Sequence, residues 1–213
     1  SRFDGAIVQG TRLPEEPIGF GNAPEVLWGL LASIRGWTCV NVAPKCASGL
    51  GALMEGAQGS PVRYMDDVYH TLTVPAVEFQ SEAVRRLTLQ DLPLLRSAPA
   101  DVQGGGFEDT AAMLSDGFVA GAIVDGRLAG IAHVSAATNG YADIGIATLE
   151  PLRKCGFATA AASIVARCVQ ATGRIPVWST GTDNAASLRV AQKLGFVEVS
   201  RRTYVIPARP GLT

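Results

Sequence analysis

The chain has 213 residues, 47% hydrophobic and 17% charged, with a formal net charge of −1. That balance describes a globular protein with a substantial core, large enough for one domain or two small ones. No basic block is present, so nucleic acid is excluded as a natural partner; no apolar run approaches the roughly 18 residues of a membrane span, so no membrane partner is expected.

Residues 1–23 hold Pro14, Pro17, Gly19 and Gly21 and are expected to be an irregular lead-in. Pro24 suits the first turn of a helix, and Glu25 to Ile34 carries an apolar face. Trp37 to Val42 is a short strand, Ala43 to Ala57 a glycine-containing helix, and Val62 to Val74 alternates like a strand. Residues 1–76 therefore form an N-terminal α/β subdomain without a chemical motif. Three roles are open for it: packing beside the rest, covering a substrate mouth, or forming a homodimer face.

A connector over 76–82 leads to a strand at Val84 to Leu87. Thr88, with Asp91 three residues on, caps a helix opened by Leu89. Gln103-Gly104-Gly105-Gly106 is a hinge before a short helix at Phe107 to Leu114. Asp125-Gly126, between the apolar runs 118–124 and 127–135, signals a type I′ hairpin. Tyr141 to Thr148 is the next strand. Then come Arg153-Lys154-Cys155-Gly156-Phe157-Ala158, a small-residue helix from Thr159 to about Val169, a strand at Ile175 to Thr180, a helix at 184–193 and a last strand near 202–206. Clustered strands with interleaved helices make an α/β fold with a mixed sheet.

A strand, a tight glycine turn and a helix start make an anion site. The first amides of a helix have no internal partner, and its dipole adds partial positive charge. Arg153 and Lys154 add full charges. The pattern R-x-x-G-x-A lacks the G-K-[ST] of a nucleotide-hydrolysing loop and the three glycines of a dinucleotide fold.

Together with Asn184-Ala185-Ala186-Ser187-Leu188-Arg189-Val190-Ala191-Gln192-Lys193-Leu194-Gly195-Phe196, this hexapeptide resembles the two signatures of the GNAT superfamily of acyl-CoA-dependent N-acetyltransferases. The resemblance covers residues 83–207, and in detail looks most like a bacterial branch that includes enzymes inactivating amine-bearing antibiotics. It implies a GNAT acyltransferase fold with two splayed neighbouring strands, acetyl-CoA as cofactor, and a small-molecule primary amine as acceptor attacked directly in a ternary complex. Same-class and different-class alternatives are a protein or peptide acceptor and a binding-only acyl-CoA module. The expected cofactor-binding residues are Ile146, Ala147 and Thr148 along the pantetheine arm. Arg153, Lys154, Cys155, Gly156, Phe157, Ala158 and Thr159 surround the pyrophosphate, and Asn184 and Ser187 bond the cofactor from the following helix. Thr159 and Asn184 have structural readings too, as a helix-start hydroxyl and an N-cap.

Acyl transfer needs an amine that has lost its proton, and an ammonium with a pKa near ~10 keeps it at neutral pH. Asp143 is the first candidate base, on the strand where the resemblance places a Glu; its shorter reach calls for a bridging water. Glu108, beside Asp109 behind the glycine hinge, is a second acidic candidate for the acceptor, and Asp66-Asp67 a weaker one. His133 reads as a buried histidine. The family position for a proton-donating Tyr is Ala191, which leaves Ser187 as the candidate donor to the leaving thiolate. The four cysteines, Cys39, Cys46, Cys155 and Cys168, have no metal-ligand spacing. Free thiols and the lack of a signal-peptide pattern lead to the expectation of a cytoplasmic protein without metal.

Overall fold

A computed structural model describes residues 4–11, 13–104 and 109–208. The chain divides into two compact units. One comprises residues 1–68, 181–183 and 200–213, the other residues 69–180 and 184–199.

The first unit opens with β1 (Gly5–Val8) and β2 (Ile18–Gly21), an antiparallel pair in register Gly5↔Gly21 to Val8↔Ile18. This corrects the irregular lead-in expected from the Pro and Gly content. The glycines that mask the strand signal are what let the strands close up: a Cβ on Gly21 would lie 2.6 Å from the Asp4 carbonyl oxygen. Helix α1 (Pro24–Leu31) starts at the proline as expected, and β3 (Val40–Val42), α2 (Pro44–Gln58) and β4 (Val62–Thr71) follow. Leu27, Leu31, Trp37, Leu50 and Met54 fill the core of this unit.

The second unit takes in the end of β4 and continues with β5 (Val84–Arg86) and α3 (Leu92–Arg96). Next come α4 (Thr110–Asp116), β6 (Val119–Val124), β7 (Arg127–Ala137) and β8 (Tyr141–Thr148). Helix α5 (Phe157–Ala171), β9 (Ile175–Gly181), α6 (Ala185–Leu194) and β10 (Val197–Pro207) complete the chain. Strands β4 and β10 have residues in both units. Strand order in the first unit is β1-β2-β3-β10-β4; in the second it is β4-β9-β8-β7-β6-β5. The sheet is mixed, as expected, since β8 and β9 are parallel while β6, β7 and β8 are antiparallel.

Asp125 and Gly126 both have positive φ, 50° and 72°, so the β6–β7 hairpin has the I′ turn that its sequence signals. The Asp91 carboxylate accepts from the Thr88 amide at 2.9 Å and pairs with Arg85 at 2.6 Å. Helix α5 lays Ala161, Ala162, Val165, Ala166 and Val169 against the sheet. Small residues on that face allow close helix–sheet approach, and Trp178 and Phe196, edge to face at 5.4 Å, fill the volume beyond.

The chain also runs twice through the same sequence of elements. An antiparallel pair (β1–β2; β7–β8) leads through a helix (α1; α5) to a strand parallel to the second (β3; β9), then a helix (α2; α6) and a strand (β4; β10). The connections differ. Only Asn22 and Ala23 separate β2 from α1, and Glu25 stands in the first turn. Eight residues, 149–156, separate β8 from α5, with no acidic residue in the first turn. Of these two helix starts, only the second has the room and the charge for an anion.

Candidate active site

Strands β8 and β9 pair at Tyr141↔Ile175, Ala142↔Pro176 and Asp143↔Val177. Beyond that point no further pair joins them among the described residues, although β8 continues to Thr148 and β9 to Gly181. The neighbours therefore part, as the resemblance implies. Ile146, Ala147 and Thr148 lie on the parted stretch, still held by β7 through Ala132, Ile131 and Gly130. The Leu149 amide bonds the Ala129 carbonyl, so alternation turns the Ala147 backbone toward Ile131 of β7 and the Ile146 and Thr148 amides toward β9, where they are left for another hydrogen-bonding partner.

Asp143 occupies the last paired position before the fork. Ser135 is the extra residue of a β-bulge between Val134 and Ala136. Its hydroxyl donates to Asp143 Oδ2 at 2.9 Å and lies 3.3 Å from the Asp143 carbonyl oxygen. From β9, the Ser179 hydroxyl lies 3.1 Å from each carboxylate oxygen. Burial pushes the Asp143 carboxyl above the usual carboxylate range, opposed by the Ser135 and Ser179 hydroxyls and the backbone amides of Ser179 and Ile144. Neither serine stands out in the sequence. A bulge and a cross-strand contact bring them to the carboxylate, and neither leaves a local pattern.

His133 shares this face of the sheet. It is 5% exposed, and its imidazole packs 3.3 Å from where a Cβ on Gly145 would stand and 3.2 Å from one on Gly104. Burial pulls its proton affinity down, so it is neutral at pH 7. The reading as a buried histidine holds.

The turn into α5 contains two left-handed residues, Lys154 at φ 67° and Gly156 at φ 84°. Gly156 is the N-cap, and a Cβ added there would meet nothing within 4 Å. The glycine is thus required by its φ, not by crowding, and the space above it is open. Arg153, Lys154 and Cys155 are exposed around it, and the Arg153 Nε lies 3.4 Å from the Thr148 carbonyl oxygen. The amides of Phe157, Ala158 and Thr159 are the unpaired first donors of the helix. Thr159 is 7% exposed, which leaves its backbone amide the better placed donor.

On α6, Asn184 Oδ1 accepts from the Ser187 amide at 3.1 Å, the N-cap arrangement. The Ser187 hydroxyl accepts from the Trp178 indole at 2.9 Å. Ala191 is 1% exposed and offers no proton donor.

Glu108 lies outside the described residues. Its neighbour Asp109 is the N-cap of α4, with its carboxylate accepting from the Ala111 and Ala112 amides, so it serves the helix start. In the first unit, Asp66 accepts from the Thr203 hydroxyl at 2.6 Å. Asp67 lines a cleft of about 410 Å³ with Glu16, Cys39, Met65 and Tyr204. Burial and the carboxylates of Glu16, Asp183 and Asp66 push its carboxyl up. Among the described residues, no group of His, Cys, Asp and Glu is arranged to hold a metal ion. No described helix is long and apolar enough to cross a membrane.

The family model for GNAT acetyltransferase matches residues 94–205. Among solved structures, a GNAT-family protein from Novosphingobium aromaticivorans is 20% identical with a TM-score of 0.61, over 91% of this chain and 84% of that one. A GCN5-related N-acetyltransferase from Kribbella flavida is 14% identical with a TM-score of 0.66, over 92% and 82%. A tandem GNAT protein from the clavulanic acid biosynthesis pathway is 15% identical with a TM-score of 0.56, over 93% and 77%. At these identities the structures show a shared fold. No curated protein matches the sequence.

Proposed function

Because the chain belongs to the GNAT acetyltransferase family and is an acyltransferase, we propose that it moves the acetyl group of acetyl-CoA to a primary amine of a small molecule, by direct attack in a ternary complex. The observation that carries this reading is the parting of β8 and β9 immediately after Asp143, which puts a part-buried carboxylate at the fork.

The residues present fit acetyl-CoA. The open turn at Gly156, the free amides of Phe157 to Thr159 and the charges of Arg153 and Lys154 suit its pyrophosphate. The edge that Ile146 and Thr148 turn toward β9, with Ala147 held to β7 between them, suits the amides of its pantetheine arm. When bound, the thioester supplies an activated acyl group and a fair leaving group. The Ile146 amide, which the ladder turns toward β9 on the parted stretch of β8, polarises the carbonyl as it gains charge. Asp143 takes the proton of the attacking amine, and burial raises its proton affinity toward the range where a base works near neutral pH. Ser187, oriented by Trp178, is the hydroxyl on α6 closest in role to a donor for the leaving thiolate.

A thiol-release assay with aminoglycosides, polyamines, amino acids and peptides tests the proposal. Release with a small amine is expected. Release with peptides alone would replace the small-molecule acceptor by a polypeptide. A binding-only module is favoured by the buried Ala191, and acetyl-CoA binding without release across the whole panel would support it over the enzyme.

A further inference from the structure

The carboxylate of Asp143 is held in a way that a structural aspartate does not require. It is part-buried at the fork between β8 and β9, and among the described residues the groups that bear on it are hydroxyls and backbone amides, with no lysine or arginine. A partly desolvated charge without a counter-charge is costly, so the arrangement persists at the expense of stability.

The two hydroxyls are not equivalent. Ser135 sits in the β7 bulge, committed to Oδ2 and near the aspartate's own carbonyl. Ser179 lies two residues beyond Val177, on the stretch of β9 that has left β8, and its Oγ is 3.1 Å from both Oδ1 and Oδ2. Of the pair, Ser179 is the hydroxyl that belongs to the fork. A serine oxygen has one proton and two lone pairs, so it can give its proton to the carboxylate while accepting another.

We propose that Ser179 relays the proton from the acceptor ammonium to Asp143. An N–H bond of the ammonium breaks and a new O–H forms on Ser179 Oγ. The original Ser179 O–H breaks in the same event and its proton bonds to Asp143 Oδ1. The nitrogen keeps the electron pair with which it attacks, and the charges of ammonium and carboxylate cancel. The relay replaces the bridging water that the short reach of an aspartate calls for, and Ser135 is the positioning residue that holds Oδ2. The groups facing Asp143 are Ser135 from β7, with neutral His133 further along the same face, and Ser179 from β9.

This inference rests on the proposed acetyl transfer, and its test separates the two. Asp143 carboxyl titration by ¹³C NMR, which needs no acceptor, is compared between the wild type and Ser179→Ala. The titration is expected to move to higher pH in the variant, because a donor to the charged form is lost; an unmoved titration would overturn the relay. With the panel amine that turns over fastest, kcat/KM of Ser179→Ala at pH 7 should fall about 100-fold. The defect should shrink as pH approaches the amine's own pKa, where solvent has already taken the proton. Ser179→Thr, which keeps the hydroxyl, should restore most of the rate, and acetyl-CoA affinity should be the same in all three. A wild-type rate and pH profile in Ser179→Ala, with Asp143→Asn impaired, would remove the relay and leave the base in place. A defect that is constant with pH and not rescued by Thr would mean a structural serine and would also overturn the relay. Wild-type behaviour of Asp143→Asn would instead remove the base reading itself.

Discussion

The indole Nε1 of Trp178 donates to Ser187 Oγ at 2.9 Å, joining a side chain that is 1% exposed to the first turn of α6. The bond gives the predicted cofactor-side serine a second occupation. It satisfies a buried donor in the core and fixes the serine's free proton away from the indole.

Ser187→Ala therefore removes the acceptor of a buried N–H. A loss of about 1–3 kcal/mol is expected in urea unfolding, with a shift in tryptophan emission. Ser187→Thr, which keeps an oxygen, should recover most of it. If Ser187 also protonates the leaving thiolate, the alanine variant loses kcat with acetyl-CoA affinity retained.

Gly156→Glu should abolish acetyl-CoA binding, through a carboxylate placed in the open space of the α5 turn. Gly156→Ala is the companion. At φ 84° it introduces backbone strain of about 1–2 kcal/mol, read as a lower Tm, with no added charge. An affinity for acetyl-CoA unchanged in the glutamate variant would remove the turn from the site.

Asp143→Asn should lower kcat by about 10²–10⁴-fold near neutral pH, with cofactor affinity nearly retained. The wild-type rate should rise with pH through the raised Asp143 pKa, and the variant should lack that limb. Stability carries the same signature. A carboxyl with a raised folded pKa favours the neutral form in the fold, so its contribution is whole below the ordinary value of 3.8 and declines as pH rises through the raised one. Asn removes that decline, and thermal unfolding of the two proteins across this window reads it.

Asp91 provides the opposite case. The Arg85 guanidinium beside it, and the Thr88 amide, hold its carboxyl down at about 2. Its contribution is present above pH 3.8 and is lost as pH falls toward 2. Asp91→Asn should cost about 1 kcal/mol at pH 7. The difference should vanish in acid, as followed by urea unfolding at several pH values.

How much of this was legible in the sequence depends on how local each cause is. The hairpin at Asp125-Gly126 follows from two residues that tolerate positive φ, and the α5 and α6 starts from a glycine turn and an Asn cap. These signals lie within a few residues of their effect. Strands β1 and β2 were hidden because glycines that serve close strand approach also read as loop. Ser135 and Ser179 were invisible for a different reason: their meaning lies across strands, through a bulge and a fork that alternation does not encode. Lys154, a non-glycine at positive φ in the α5 turn, likewise has no sequence mark.

Under the proposed function, the Gly156 turn and the β8–β9 fork together form one acetyl-CoA site. Calorimetric titration of the protein with acetyl-CoA, beside Gly156→Glu, tests it most directly. One site per chain is expected in the wild type and none in the variant. An absence of binding to the wild type, or equal binding by both proteins, would contradict it.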